Sequence, residues 1–181
     1  MPSEPGVPYI RESSGGRVSN ANLIDLMRLV LVDGKKPFRF TAYGFSMSPL
    51  IRIGDAVTIA PRAGNIPRVG DVIAFICPKD GKLTIHRVVK KQAAGFLMLG
   101  DNADSPDGII PTACILGRVI SVKRNGKTLS AGLGCERSVI AFLSRNHLLK
   151  PVLSIARYPF RIGSAGKRKF LAAAQYSHDH C

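Results

Sequence analysis

Between Phe38 and Lys123 the chain is a succession of short apolar or alternating runs, each closed by turn-forming residues. The runs are Phe38–Ala42, Asp55–Ala60, Asp71–Cys77, Leu83–Lys90, Phe96–Leu99 and Gly117–Lys123. Phe38-Arg39-Phe40-Thr41-Ala42 alternates with period two, the repeat of a strand with one buried face. Pro61, Gly64-Asn65, Gly70, Asp80-Gly81, Gly95 and Asn125-Gly126 punctuate the runs, and these residue types are the ones that turns require. Such spacing predicts a mainly β fold, a compact antiparallel β domain of roughly ninety residues.

The flanks read differently. Residues 1–19 carry Pro2, Pro5, Pro8, Gly15 and Gly16, the composition of a flexible lead. A short helix is expected next. Asn20 stands at its start, Leu23, Met27, Val30 and Leu31 recur at helical spacing, and Gly34 stops it. Past Gly134, Ser138–Leu149 and Val152–Ile162 mix apolar and basic residues around Pro151 and Pro159, which predicts short amphipathic helices. The expected organisation is a lead at 1–19, a catalytic β domain at 20–130, and a basic helical extension with a tail at 131–181.

Charge narrows the partners. The 181 residues hold 26 Lys and Arg against 12 Asp and Glu, a formal charge of +14. Twelve of those cations fall between Arg118 and Phe170, where Glu136 is the only acid. Excess of one sign favours an anionic partner. With no Trp, few Tyr and no aromatic–basic interleaving, the pattern disfavours nucleic acid and leaves the 137–170 region as a peripheral contact for an anionic membrane. No segment approaches the ~18 apolar residues of a membrane span. The first twenty residues are no secretory signal peptide, so a cytoplasmic or peripheral location is expected. Cys77, Cys114, Cys135 and Cys181 show no metal-binding or redox spacing. His178, His180 and Cys181 sit in the tail and read as adventitious donors, so neither a metal nor a cofactor is expected.

Three clusters carry chemistry. The first is Gly44-Phe45-Ser46-Met47-Ser48-Pro49, followed by Gly54-Asp55. A Ser on a constrained turn after a strand exposes a hydroxyl and aims backbone N–H groups, with Ser46, Met47 and Pro49 as candidate positioning residues. Acyl transfer needs both a nucleophile and oxyanion donors. The second is His86, in a strand-like run where it shares a face with Thr84 and Val88 while Arg87 points away. A serine needs a base that titrates near neutrality, and His is the usual supplier. The third is Gly100-Asp101-Asn102 with Asp104 and Asp107, three carboxylates at the end of an apolar strand. One of them is expected to orient the imidazole.

In order along residues 38–123, these clusters resemble the type I signal peptidase family. The resemblance rests on Ser46-Met47-Ser48-Pro49 with Gly54-Asp55, on Gly70-Asp71-Val72-Ile73-Ala74-Phe75, on His86-Arg87-Val88-Val89, and on Gly100-Asp101-Asn102 with Gly117-Arg118-Val119. Typical bacterial members carry Lys where this chain has His86, so the chain looks like the Ser–His branch. The resemblance implies a serine endopeptidase acting on signal-peptide-like or leader segments, with a preference for small residues before the cleaved bond. It implies Ser46 as nucleophile, His86 as base, and the Ser46 N–H in the oxyanion hole. The family's third position corresponds best to Asp107, with Asp101 structural beside Gly54, Asp55, Gly100 and Asn102, and Asp104 as the other alternative. Gly44 replaces a family Ser, Phe45 a family Gly, and no anchor precedes Ser46. Repressor-type self-cleaving proteases share the Ser-Met-x-Pro element but use Lys, which His86 speaks against. The alternative function is a basic membrane- or nucleic-acid-binding module on an inactive protease fold.

Overall fold

A computed structural model of the chain describes residues 9–10, 20–62, 64–129, 132–146 and 148. The strands are β1 (Tyr9–Ile10), β2 (Phe38–Thr41), β3 (Ala56–Pro61), β4 (Val72–Ile76), β5 (Leu83–Gln92), β6 (Gly95–Leu99), β7 (Gly108–Ile110), β8 (Ile115–Arg124) and β9 (Lys127–Leu129). Among the described residues they form one sheet in the order β1-β2-β3-β8-β4-β5-β6-β7, with β9 added to β8. Every pairing is antiparallel except β1 with β2. The mainly antiparallel β fold read from the sequence is therefore the observed one.

Alternation along β4 shows how the sheet is packed. Val72 and Ala74 enter one apolar cluster with Phe38, Phe40, Val57, Ile59 and Val122, while Ile73 and Phe75 enter a second with Val88, Phe96, Met98 and Ile110. Both faces of the central strands are thus covered. For the same reason β5 breaks the simple pattern of one wet and one dry face, and His86, Arg87, Val88 and Val89 are all buried. A register shift between Val88 and Lys90 in the β5–β6 ladder adds to this, because a bulge resets which face a side chain meets.

Three strands were not legible in the hydrophobic pattern: β1, β7 and β9 have two or three residues each, too few to display a period. β9 is made by the Asn125-Gly126 turn, whose residues adopt φ of 50° and 78°. That is the backbone of a two-residue hairpin loop, and Asn-Gly tolerates it best. β1 lies within the stretch expected as a flexible lead.

The N-terminal helix, α1 (Asn20–Met27), opens at Asn20 and continues as a wider π-helical turn over Arg28–Asp33. It closes at Gly34, whose N–H donates to the Leu29 carbonyl. Met27 and Leu31 bury their side chains in the first cluster. The second helix, α2 (Arg137–Arg145), is shorter than the expected 138–149, because Asn146 caps it by donating to the carbonyls of Phe142 and Ser144. Ala141 and Ser144 form its buried side, and it packs against β5. The helix expected at 152–162, the tail and His178, His180 and Cys181 lie outside the described residues. Cys77, Cys114 and Cys135 are free thiols. No helix among the described residues is long and apolar enough to cross a membrane.

An ion pair closes the loop between β2 and β3. Arg124, the last residue of β8, donates to both Asp55 carboxylate oxygens at 2.9 and 2.6 Å, and to the carbonyls of Pro49 and Leu50. Burial pushes the Asp55 carboxyl up, but the Arg124 hydrogen bond, the Arg52 N–H and the two guanidinium charges outweigh it and hold the group below its ordinary 3.8. A carboxylate with a depressed folded pKa stabilises the fold above the unfolded value and loses that contribution as pH falls through the folded one. Urea unfolding of wild type and Asp55→Asn is therefore expected to show a stability gap at pH ~7 that narrows below about pH 4. A gap independent of pH would remove the ion pair as its source.

Candidate active site

Ser46 sits on the loop between β2 and β3, and the loop's own chemistry explains its exposure. The Ile51 N–H donates to the Met47 carbonyl, a single helical turn that points Met47 and Ile51 together into the core. Ser46 precedes that turn and remains exposed. Met47, expected as a positioning residue, anchors the loop from behind, since its side chain is buried among Phe38, Phe40 and Val57. Pro49 follows a cis bond, and its carbonyl is held by Arg124. Gly54 (φ 86°) donates to the Ala42 carbonyl and the Ala42 N–H donates to Asp55, which pins the loop's two ends together. Among the described residues the Ser46 N–H has no hydrogen-bond acceptor.

His86 lies in β5, paired with Ile73, and its ring meets the edge of Phe75 at a centroid distance of 6.4 Å. Its Nδ1 is 2.5 Å from the Asp107 carboxylate. A carboxylate accepts, so in this bond Nδ1 is the donor. The other ring nitrogen, Nε2, is buried and has no hydrogen-bond partner among the described residues. Asp107 reaches the ring because its N–H donates to the Met98 carbonyl, which fixes the loop from β6 to β7.

The remaining carboxylates have other surroundings. Asp101 is buried and takes two hydrogen bonds from Arg87, at 2.8 and 2.6 Å. Asp104 is exposed. The geometry thus brings Asp107 to His86 and sets Asp101 in an ion pair.

Gly100 and Asn102 join the two halves of the site. The Asn102 N–H donates to the Ser46 carbonyl at 2.7 Å, and its side-chain amide donates to the Phe45 carbonyl. A Cβ on Gly100 would lie 2.6 Å from the Ser46 carbonyl oxygen and 2.8 Å from His86 Nε2. Only a residue without a side chain lets the serine loop and the imidazole come this close.

Four residues of the site were not singled out by sequence reasoning. Arg87 is fully buried and donates to Gly70 and Gly132 carbonyls besides Asp101. Ser144 of α2 donates to Asp101 at 3.2 Å. Arg124 clamps the serine loop, and Phe75 backs the imidazole. For Arg87 the available signal was its place directly after the candidate base; the others depend on contacts distant in sequence.

A His86–Asp107 pair beside the segment that holds the serine loop, on a mainly antiparallel sheet, fits a serine-peptidase type of fold. The chain belongs to the Peptidase S24-like family, whose model matches residues 6–120, more than half of its length. No curated protein matches it. The match establishes a serine peptidase family at a coarser level than the type I signal peptidase resemblance of the motifs.

Proposed function

We propose that the chain is a serine endopeptidase in which Ser46 is the nucleophile, His86 the general base and Asp107 the group that orients the imidazole. The observation that carries this reading is the division of labour on His86. One ring nitrogen is engaged by Asp107 and the other is buried, unpartnered and beside Gly100, against which the Ser46 carbonyl also lies. An unpaired buried acceptor is costly in a structural role and useful in a proton-transfer role.

In the mechanism Ser46 Oγ bonds to the scissile carbonyl carbon while its proton passes to Nε2. The oxyanion is met by the Ser46 N–H. Collapse breaks the C–N bond as Nε2 returns the proton to the leaving amine, and water then hydrolyses the acyl-enzyme with the same base. Asp107 stabilises the imidazolium throughout. Substrates are signal-peptide-like or leader segments cut after small residues. The motif order supports this, as do the exposed Tyr43, Phe45 and Ile53 flanking Ser46, which suit an extended apolar peptide.

A peptide panel with Ala, Ser, Leu or Phe before the scissile bond tests the specificity. Cleavage after Ala and Ser, with Leu and Phe peptides left intact, is expected. Equal cleavage of all four would remove the leader-peptidase reading while leaving a serine peptidase. A panel wholly intact, with Ser46 also inert to serine-directed reagents, would favour a binding module on an inactive fold.

A further inference from the structure

α2 is held by one side only. Ala141 and Ser144 are buried, and Ser144 donates to Asp101. On the outward side Val139 and Phe142, one turn apart, are each 61% exposed, with Arg145 exposed at the helix end. Large apolar side chains three residues apart on an exposed helix face form a continuous stripe. Nothing among the described residues covers it.

The charge along the sequence is one-sided from there on. Arg137 is engaged by Asp71, and from Ser138 to Phe170 the sequence holds seven Lys or Arg and no acid. We propose that the outward face of α2 docks on an anionic lipid surface, Val139 and Phe142 entering the boundary between headgroups and acyl chains while the basic residues meet the headgroups. Apolar and basic residues alternating in one short stretch match an interface that is apolar below and anionic above. A phosphate backbone would use the cations and leave Val139 and Phe142 wet. This docking is independent of the peptidase reading, because it involves neither Ser46 nor His86.

Flotation of the full chain with lipid vesicles tests it. Wild type is expected to float with phosphatidylcholine vesicles containing about a third phosphatidylglycerol, and to remain below with phosphatidylcholine alone. Salt of about 1 M should release most of it, since the Debye length falls to roughly 3 Å. The double substitution Val139→Ser/Phe142→Ser removes the apolar stripe from an exposed face, so its melting curve should match wild type. It is expected to bind anionic vesicles about tenfold more weakly or worse. Three results would overturn the proposal: no flotation on anionic vesicles, undiminished flotation of the double variant, or a wild-type dimer that the double variant dissociates. In the last case a second copy of the chain is the occupant.

Discussion

Ser46→Ala and His86→Ala are each expected to lose at least about 10⁴-fold in kcat/KM on the best peptide that wild type cleaves. Removing the hydroxyl removes the atom that bonds to substrate. Removing the imidazole leaves that hydroxyl protonated at neutral pH, with no acceptor beside it. The two residues act as a unit, so the double variant should be no slower than the slower single one. Asp107→Asn is expected to cost about 10²- to 10⁴-fold, because an amide at that place also satisfies the imidazole in the wrong tautomer. Ser46 is exposed, so Ser46→Ala should melt with wild type. Steady-state kinetics on purified variants reads all of these. A double variant far slower than either single one would mean that the residues act separately.

The largest stability effect is expected at Arg87. Its guanidinium donates to both Asp101 oxygens and to the carbonyls of Gly70 and Gly132, entirely out of solvent. Arg87→Met leaves the buried Asp101 carboxylate with only its bond from Ser144, and the Gly70 and Gly132 carbonyls without the Arg87 donor. Breaking one side of such a pair costs about 3–5 kcal/mol, which corresponds to a fall of roughly 10 °C in Tm for a domain of this size. Arg87→Lys keeps the charge but not the fork, and should recover only part. Arg87→Met/Asp101→Leu removes the orphaned charge and is expected to be more stable than Arg87→Met alone. Thermal unfolding of the three variants reads the series. Arg87→Met melting with wild type would mean that the pair is replaced by water at no cost.

The Arg87 variants also bear on the site. Asp101 lies between Gly100, which touches the serine loop and the imidazole, and Asn102, which holds the Ser46 carbonyl. Arg87 secures that segment from one side and Ser144 from another. Residues other than Ser46, His86 and Asp107 therefore hold the segment that lies between the serine loop and the imidazole.

Much of the fold was legible because six strands of the sheet are long enough to display their pattern and are bounded by Gly, Pro, Asp or Asn. β7 and β9 were not, since three residues cannot show a period, although Asn125-Gly126 marked the turn that makes β9. The site was legible as residue types in a set order: a serine on a Gly- and Pro-bounded turn, one histidine in a strand, and three nearby carboxylates. Which carboxylate reaches the histidine was not legible in the residue pattern, because Asp101, Asp104 and Asp107 share one loop, although the family resemblance pointed to Asp107, the residue that meets His86. Four consecutive buried residues at His86–Val89 likewise follow from two apolar clusters enclosing one sheet, and no local pattern records that. The bond from Ser144 to Asp101 spans α2 and the β6–β7 loop and depends wholly on tertiary packing.

The central claim is that Ser46 is a nucleophile activated by His86, and reaction with a fluorophosphonate tests it directly. The adduct is located by mass spectrometry of the digested protein, and its formation rate is followed in wild type and His86→Ala. The account predicts a single adduct on Ser46 in wild type, none in Ser46→Ala, and labelling slowed by orders of magnitude in His86→Ala. Wild type left unlabelled at Ser46, or His86→Ala labelled as fast as wild type, would contradict it.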